Sequence, residues 1–497
     1  MAKITGFVTL GFFTAWAILT VLVGLPVLLG LPWLALILVP VFGTLLVAAL
    51  LIYPKHQVFR FRLTVPSLPA MSHMTALAAC DLLFAGLAFY LLLPPDMSPP
   101  FLTLIAAFSV ALGAGMLGGT PGGVGPFEMA MVSLIPNPDI APLAAALIAF
   151  RLIYYVAPCL IGLGYAAIAP VTAPTIDRHS PRNHAAPRAE HQISAQSQCQ
   201  NLETSGSSAT LLDTPQTLTL FLGATVGSFL PLLQALKKQA TRQNRCAALY
   251  KITARDAVVA RSEGWKVAAL AHEAVIRPET YCEKGPKRRQ LRRFLRKADK
   301  AGLRFERLID PDWARLAEIH HDWQESHGAE RGLTMGRFCP LYLKDKPLFG
   351  AFDGDTLIAF ASLVEIPGVQ SLDVMRHVNN LPTGTMHGLI HHMIYDARRT
   401  KIQEFNLAAV PHPQLAQTLR LNTSLTRFKA SFGPSWRSLY FAAPNRRSMI
   451  VSGLDLWLAI TRPRPIPYDT MDAWHIDAML TGETPTLPEE NDLRLTG

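Results

Sequence analysis

The stretch FVTLGFFTAWAILTVLVGLPVLLGLPWLALILVPVFGTLLVAALLIY, from Phe7 to Tyr53, runs for 47 residues without one charged side chain. About 20 apolar residues in a helix cross a hydrocarbon core, so this run is long enough to cross twice, with Gly30-Leu31-Pro32 as the turn between the crossings. A secretory signal would be one short apolar stretch ending at a small-residue cleavage site. This run is longer and is followed by more of the same, so it is expected to remain in the mature protein. The N-terminal third therefore reads as membrane-embedded.

Working outward, candidate spans cover 7–27, 33–53, 74–94 and 141–169, with another apolar segment at 101–118. Lys55, Arg60 and Arg62 follow the second span, and Arg178, Arg182 and Arg188 follow the last. If both basic segments face the cytoplasm, an even number of crossings separates them, yet three apolar segments lie between. The segment expected not to cross is 101–136. It is interrupted by Gly118-Gly119-Thr120-Pro121-Gly122-Gly123-Val124-Gly125-Pro126-Phe127-Glu128, which cannot continue a regular helix. Two broken helices meeting at this turn would resolve the parity and aim backbone N–H groups at an anionic headgroup; the alternative is an interfacial loop with Glu128 in water. Asp81 and Arg151 sit inside apolar spans and are expected to face a cavity or each other, or, for Arg151, to snorkel.

The formal charge of +10 suits an anionic partner, nucleic acid or phospholipid. Six cysteines without a C-x-x-C pair support neither a disulfide framework nor a metal site. The histidines His377, His387, His391, His392 and His412 have no ligand spacing, so no metal is expected. Residues 172–210, rich in His, Pro, Ser, Gln and Asn, read as a flexible tether. The division expected is a membrane region at 1–171, a linker at 172–210, a soluble domain at 211–460 and a polar tail at 461–497.

Within the soluble domain, Thr217–Leu236 reads as an amphipathic helix, Ala247–Ile252 and Trp265–His272 as strands, and Ala254–Ser262 as a helix. From Lys284 to Lys300, nine basic residues face one acidic residue, Asp299, over 17 positions. On a helix, 288, 292, 296 and 300 form one stripe and 289, 293 and 297 the next, an arrangement that suits an RNA backbone, anionic lipid or a merely solvated face. The stretch 346–378 reads as a three-stranded meander, followed by a glycine-bearing loop at 381–385, a helix at 386–399 and a strand at 404–407. Acetyltransferase-type domains use strand, loop, helix, strand to hold a carrier's phosphate at a helix N-terminus. Regular alternation along Ser371–His377 would put Asp373 and Met375 on one face and Leu372, Val374 and Arg376 on the other.

These motifs resemble those of the bacterial aminoacyl-phosphatidylglycerol synthase and flippase family, best known for lysylphosphatidylglycerol synthesis. The matching stretches are Arg289-Gln290-Leu291-Arg292-Arg293 through Lys297-Ala298-Asp299-Lys300-Ala301-Gly302, Ser371 to His377, Gly384-Thr385-Met386, Glu404-Phe405-Asn406-Leu407-Ala408, and Arg427-Phe428-Lys429-Ala430-Ser431-Phe432 with Pro434 and Trp436. The membrane motif Thr120 to Glu128 resembles the flippase region, in a chain with fewer spans than full-length members.

The resemblance implies a multi-span α-helical membrane region followed by an α/β (α+β) tandem acetyltransferase-like domain. That domain would move an aminoacyl group, lysyl in the best-known members, from aminoacyl-tRNA to phosphatidylglycerol without a cofactor. Asp373 would take the amino group, Arg376 and Lys429 the lipid phosphate and oxyanion, and Asn406 would orient a substrate. Arg289, Arg292, Arg293, Arg296, Gly384, Thr385 and Arg427 would bind substrate. Gly122, Gly123, Gly125, Glu128 and Arg151 would form a lipid site. The implied setting is the bacterial inner membrane, multi-pass, with the soluble domain cytoplasmic, in contact with the lipid bilayer and with a homo-oligomer as a further expected partner. Two alternatives stay open: a lipid flippase or transporter with a non-catalytic soluble domain, and an acyltransferase with another donor or lipid.

Overall fold

The computed structural model describes residues 16–52, 55–58, 61–64, 67–120, 123–136, 138–168, 188–197, 199–204, 206–418, 423–466, 476 and 479–481. The chain divides into two units, 1–180 and 181–497. Residues 7–15, Arg60, Pro121, Gly122, Arg178, Arg182 and most of the expected tail lie outside the described residues.

The first unit is helical. Helix α1 spans Trp16–Leu28, α2 Trp33–Ile52, α3 Leu68–Leu92, α4 Phe101–Leu117 and α5 Pro126–Leu134. Helix α6 begins at Ile140, passes through a π-helical turn at Leu152–Val156 and continues to Ile168. A short hairpin, β1 (Lys55–Val58) and β2 (Phe61–Thr64), separates α2 from α3. Among the described residues, two helices, Leu68–Leu92 and Ile140–Gly164, are long and apolar enough to cross a membrane. Ser67 starts α3 by accepting the Ala70 N–H at 3.4 Å, and Pro94 and Pro95 follow its end. The expected break at 101–136 is present. Pro126 opens α5, Gly125 precedes it at φ +96°, and a Cβ on Gly123 would lie 3.0 Å from Gly115 Cα, so α4 and α5 meet backbone to backbone. Phe108 packs edge-on against Phe127 and Phe150 at 5.5 and 5.4 Å, filling the core of this unit.

The second unit is built on one eleven-stranded sheet in the order β3-β4-β5-β6-β13-β7-β12-β11-β10-β9-β8. A 3₁₀ helix, Ala189–Gln196, precedes strands β3 (Cys199–Thr204), β4 (Ser207–Asp213) and β5 (Thr217–Val226). Helix α7 (Phe229–Arg242) crosses to β6 (Cys246–Ile252), and α8 (Ala254–Ser262) leads to β7 (Lys266–Ile276). Next come the basic helix α9 (Arg289–Lys300), β8 (Arg304–Leu308) and α10 (Trp313–His327). The pattern then recurs in β9 (Leu348–Asp353), β10 (Thr356–Ile366), β11 (Val369–His377), α11 (Thr385–Arg399) and β12 (Glu404–Pro411). The chain closes with α12 (Ser424–Ser431), β13 (Ser435–Ala443) and α13 (Arg446–Thr461).

The two halves repeat one plan: an antiparallel meander, a helical crossover, then a parallel strand, since β5 pairs in parallel with β6 and β11 with β12. Each half lends its last strand to the other, because β13 pairs with β6 while β7 pairs with β12. This exchange fuses the tandem into one α/β domain whose two largest cores lie under α7 and α8 and under α11.

Two sequence expectations fail here. Part of the tether expected at 172–210 is regular structure: Arg188 to Asp213 holds the 3₁₀ helix and two paired strands, and polar outward positions on an edge hairpin explain its loop-like composition. The run Thr217–Leu236 is a strand and then a helix. The alternation Thr217-Leu218-Thr219-Leu220 has period two, and Gly227, at φ +74°, turns the chain where a Cβ would lie 2.1 Å from the Gly206 carbonyl oxygen.

Candidate active site

Strands β11 and β12 pair only from Val369–Glu404 to Ser371–Asn406, although each continues for five or six residues beyond. Past that point β11 stays with β10 and β12 with β7, so the sheet splits. Along β11 the residues after the split are Leu372 to His377, and along β12 they are Leu407 to Pro411.

On the β11 side, the register leaves one residue of β10, Ser362, against two of β11, Asp373 and Val374, between the pairs Leu363–Leu372 and Ala361–Met375. This bulge breaks the alternation expected for Ser371–His377. Leu372 and Met375 face the α11 core, while Val374 turns to the core of α10. Asp373, only 1% exposed, lies under the loop that precedes the one-turn helix Pro340–Leu343 and accepts the Gly336 N–H at 2.6 Å through Oδ1. Its Oδ2 and the Tyr342 hydroxyl are both buried and make no close hydrogen bond among the described residues, but they lie near enough for the hydroxyl to act on the carboxyl as a donor. Burial pushes the Asp373 carboxyl above its ordinary range, against the pull of the Gly336 N–H, Tyr342, Lys346 and Arg376.

Arg376 is engaged within the protein. Its guanidinium pairs with Glu330, donates to His320 Nδ1 at 3.2 Å and to the Met375 carbonyl at 2.9 Å, and lies 4.0 Å from the Trp323 ring centroid. Glu330 in turn accepts the Phe338 N–H at 2.8 Å, so Arg376 fastens the loop that covers Asp373. The anion-binding role expected for it gives way to a positioning one, because these donor directions are already engaged.

On the β12 side, Asn406 Oδ1 accepts the Ala408 N–H at 2.9 Å and holds Ala408 at φ +61°. This local turn presents the Ala408 and Ala409 carbonyls to Lys429 Nζ, at 3.2 and 3.3 Å. Lys429, on α12, is 3% exposed, and burial together with the Lys251 ammonium lowers it to about 7 while Glu190 opposes that. Around it lies a charge cluster: Arg188 Nη2 meets both Glu190 and Glu273 at 2.5 Å, and Arg188 Nη1 donates to the Lys251 carbonyl at 2.9 Å. Burial first, then the Glu190 charge, raises Glu273.

The 3₁₀ helix links the two sides. Its N-terminal end carries Glu190, while Gln192 accepts from Lys346 Nζ at 3.0 Å and Gln196 bonds the Arg337 backbone at 2.7 Å. Asp373 thus lies on the β11 side of the split, and Asn406 with Lys429 on the β12 side.

The remaining candidates lie apart from it. Thr385 is fully buried and donates to the Pro382 carbonyl, while Gly384, at φ +104°, packs where a Cβ would lie 2.3 Å from the Phe294 carbonyl oxygen of α9. The basic helix therefore covers the N-terminus of α11, where the acetyltransferase analogy would seat a phosphate. Arg289, Arg293 and Arg296 are exposed on α9, whereas Arg292 turns back to the Glu283 and Gly285 carbonyls at 2.7 and 2.6 Å. Arg427 is exposed on α12. In the first unit, Arg151 pairs with Glu128 at 2.5 Å, not with Asp81, which bonds the Tyr154 hydroxyl. Glu128 also accepts the Gly125 N–H at 2.6 Å, and Gly123 sits one turn away at the α4 contact.

With this geometry in view, residues 200–443 match the family model described as phosphatidylglycerol lysyltransferase, C-terminal. The match covers just under half of the chain. The chain is 25% identical over 273 residues to phosphatidylglycerol lysyltransferase of Staphylococcus xylosus, covering 49% of this chain and 32% of the relative. It is 25% identical over 251 residues to the enzyme of the same name from Bacillus subtilis (strain 168), covering 45% and 29%. The chain thus spans about a third of the length of the curated relatives it matches. Its fold is shared with the solved structure of L-PGS from Bacillus licheniformis, at TM-score 0.50 and 20% identity, over 57% of this chain and 99% of that one.

Sequence reasoning missed Glu273, Lys251, Glu190, Tyr342 and Lys346. A signal existed for two of them. Glu273 and Lys251 are lone charges in otherwise apolar strands, Ala268–Ile276 and Cys246–Ile252, where an ionised group needs a partner. Glu190 and Arg188 fell in the stretch read as tether.

Proposed function

We propose that the chain transfers an aminoacyl group, lysyl by preference, from charged transfer RNA to a glycerol hydroxyl of phosphatidylglycerol at the cytoplasmic face of the membrane. The observation that carries this reading is that the two sides of one split in the sheet carry a buried carboxylate, whose Oδ2 has the Tyr342 hydroxyl beside it, and a buried amine held near neutrality. Asp373 Oδ2, beside the Tyr342 hydroxyl, suits the ammonium of an aminoacyl ester. Neutral Lys429 donates both N–H groups to the Ala408 and Ala409 carbonyls and so keeps its lone pair for a proton.

The reaction is ester exchange. The lipid hydroxyl attacks the aminoacyl carbonyl as its proton passes to Lys429; the ester bond to the terminal ribose breaks, and the ribose oxygen takes that proton. Holding both partners across the split supplies much of the rate. The exposed arginines of α9, Arg289, Arg293 and Arg296, are suited to the RNA backbone. In the membrane unit, Arg151, Glu128 and the Gly123-to-Gly125 turn are proposed to meet lipid headgroups in a re-entrant element.

The test is to incubate the reconstituted full chain with phosphatidylglycerol and transfer RNA charged with radiolabelled lysine. A ribonuclease-sensitive labelled lipid of the mass of lysylphosphatidylglycerol is expected. Labelled lipid that survives ribonuclease treatment of the donor, or none with any charged transfer RNA, overturns the reading.

A further inference from the structure

Helix α13 has two unlike faces. Its inner face is fixed: Ser452, Asp455 and Leu456 are buried, and Asp455 Oδ2 accepts from Thr214 Oγ1 at 2.7 Å and from the Gln216 N–H at 2.9 Å. Its outer face carries Ile450, Leu454 and Trp457, which are 65%, 45% and 59% exposed. At 100° per residue these three fall within about 60° of one another, and Arg446 and Arg447 lie at the N-terminal end of the same face. Gly453 is beside the stripe, and a Cβ there would meet nothing within 4 Å. Arg446, Arg447 and, at the other end, Arg462 are exposed.

The fold has no use for this face. Two arginines in the first turn of a helix oppose its macrodipole, and three large apolar side chains in a row are left in water. An aromatic and two aliphatic anchors between cationic ends form the pattern of a helix lying in a bilayer interface, where apolar groups enter the acyl boundary and arginines meet phosphates. The lysines and arginines of α9 offer no such apolar stripe, so this surface is distinct from the basic helix.

We propose that the outer face of α13 docks the synthase domain on an anionic lipid surface, with Ile450, Leu454 and Trp457 as anchors and Arg446 and Arg447 as headgroup contacts. Docking would hold the domain's orientation to the bilayer rather than leave it to the chain connection alone. The proposal does not depend on which reaction the split catalyses.

The competing occupants are a second copy of this chain and the chain's own segment 467–497, which carries seven acidic residues against Arg494. A photoreactive benzoylphenylalanine at position 454 of the full chain, in nanodiscs of phosphatidylglycerol and phosphatidylcholine, separates them by the mass of the adduct. A lipid adduct is expected. Its yield should fall in phosphatidylcholine alone, and by about fivefold for each of Arg446→Gln and Arg447→Gln. The same probe at Val258, exposed on α8, should give no lipid adduct. An adduct to segment 467–497, an adduct to a second copy, or no adduct at all overturns the proposal.

Discussion

Replacing Lys429 by methionine should make the protein more stable near neutrality while stopping turnover. The amine sits 3% exposed at about 7, against its ordinary 10.5. Between those two values the unfolded chain binds more protons than the folded one, so this group makes stability rise with pH across that window. At about 1.36 kcal/mol per decade, burying the lysine costs about 4 kcal/mol near pH 7 and about 2 kcal/mol near pH 9. Methionine removes that cost but strands the Ala408 and Ala409 carbonyls, a loss of about 1–3 kcal/mol. The net expectation is a gain of about 1–3 kcal/mol near pH 7 that shrinks toward zero near pH 9.

The assay is urea unfolding of the full chain in detergent, followed by tryptophan fluorescence, with parent and variant compared at each pH so that other titrating groups cancel. Turnover should fall by about a hundredfold or more, as expected for loss of a proton-transfer group. A stability difference that does not change between neutral and alkaline pH would show that Lys429 titrates normally. A large loss of stability at neutral pH would mean the amine is charged and paired, and its proton-accepting role would go with it.

Asp373→Asn keeps an acceptor for the Gly336 N–H but removes the charge, so lipid product should vanish while melting of the protein in detergent stays close to the parent's; unchanged turnover removes Asp373 from the site. Glu330→Gln and Arg376→Met should each destabilise by about 3–5 kcal/mol in urea unfolding, because each leaves a buried ion without its partner. Arg289→Gln and Arg293→Gln should weaken transfer RNA binding and lower the salt slope by about one each, read by filter binding, whereas Arg292→Gln should act on stability through the Glu283 and Gly285 carbonyls. Gly384→Ala should cost at least about 1–2 kcal/mol for its left-handed backbone, and more for the clash with Phe294, measured by the same unfolding experiment.

Much of the second half of the domain was legible because its signals are local. The meander expected at 346–378 and the helix expected at 386–399 needed only neighbouring residues; the three strands run from Leu348 to His377 and the helix from Thr385 to Arg399. Asp373, Lys429 and Asn406 were named from motifs. The split whose two sides carry them was not visible, because it depends on where a ladder stops and on a bulge that turns Asp373 away from the α11 core. A bulge has no sequence marker when its residues, Asp373 and Val374, suit a regular strand equally well. Arg376 was misread for the same reason: its partner Glu330 lies 46 residues away, in a loop with no periodic pattern.

The repeat also explains why the tandem has one candidate site rather than two. In the first half the β5–β6 ladder stops at Phe221–Tyr250, the counterpart of Ser371–Asn406, and a left-handed residue follows in each half, Lys251 at φ +55° and Ala408 at φ +61°. What fills each split differs. Leu222, Leu333, Phe441 and Leu456 pack with Phe221 and Tyr250 into an apolar plug, to which α13 contributes Leu456 from its inner face. The second split has instead Asp373 and Lys429, whose ionisation is already bent by burial. Chemistry at the first split would require expelling the plug and losing its hydrophobic contribution, whereas the second already bears the cost of its buried charges. Helix α13 then closes the unused split with one face and leaves the other face to solvent, so the inner side chains and the outer stripe can be altered independently.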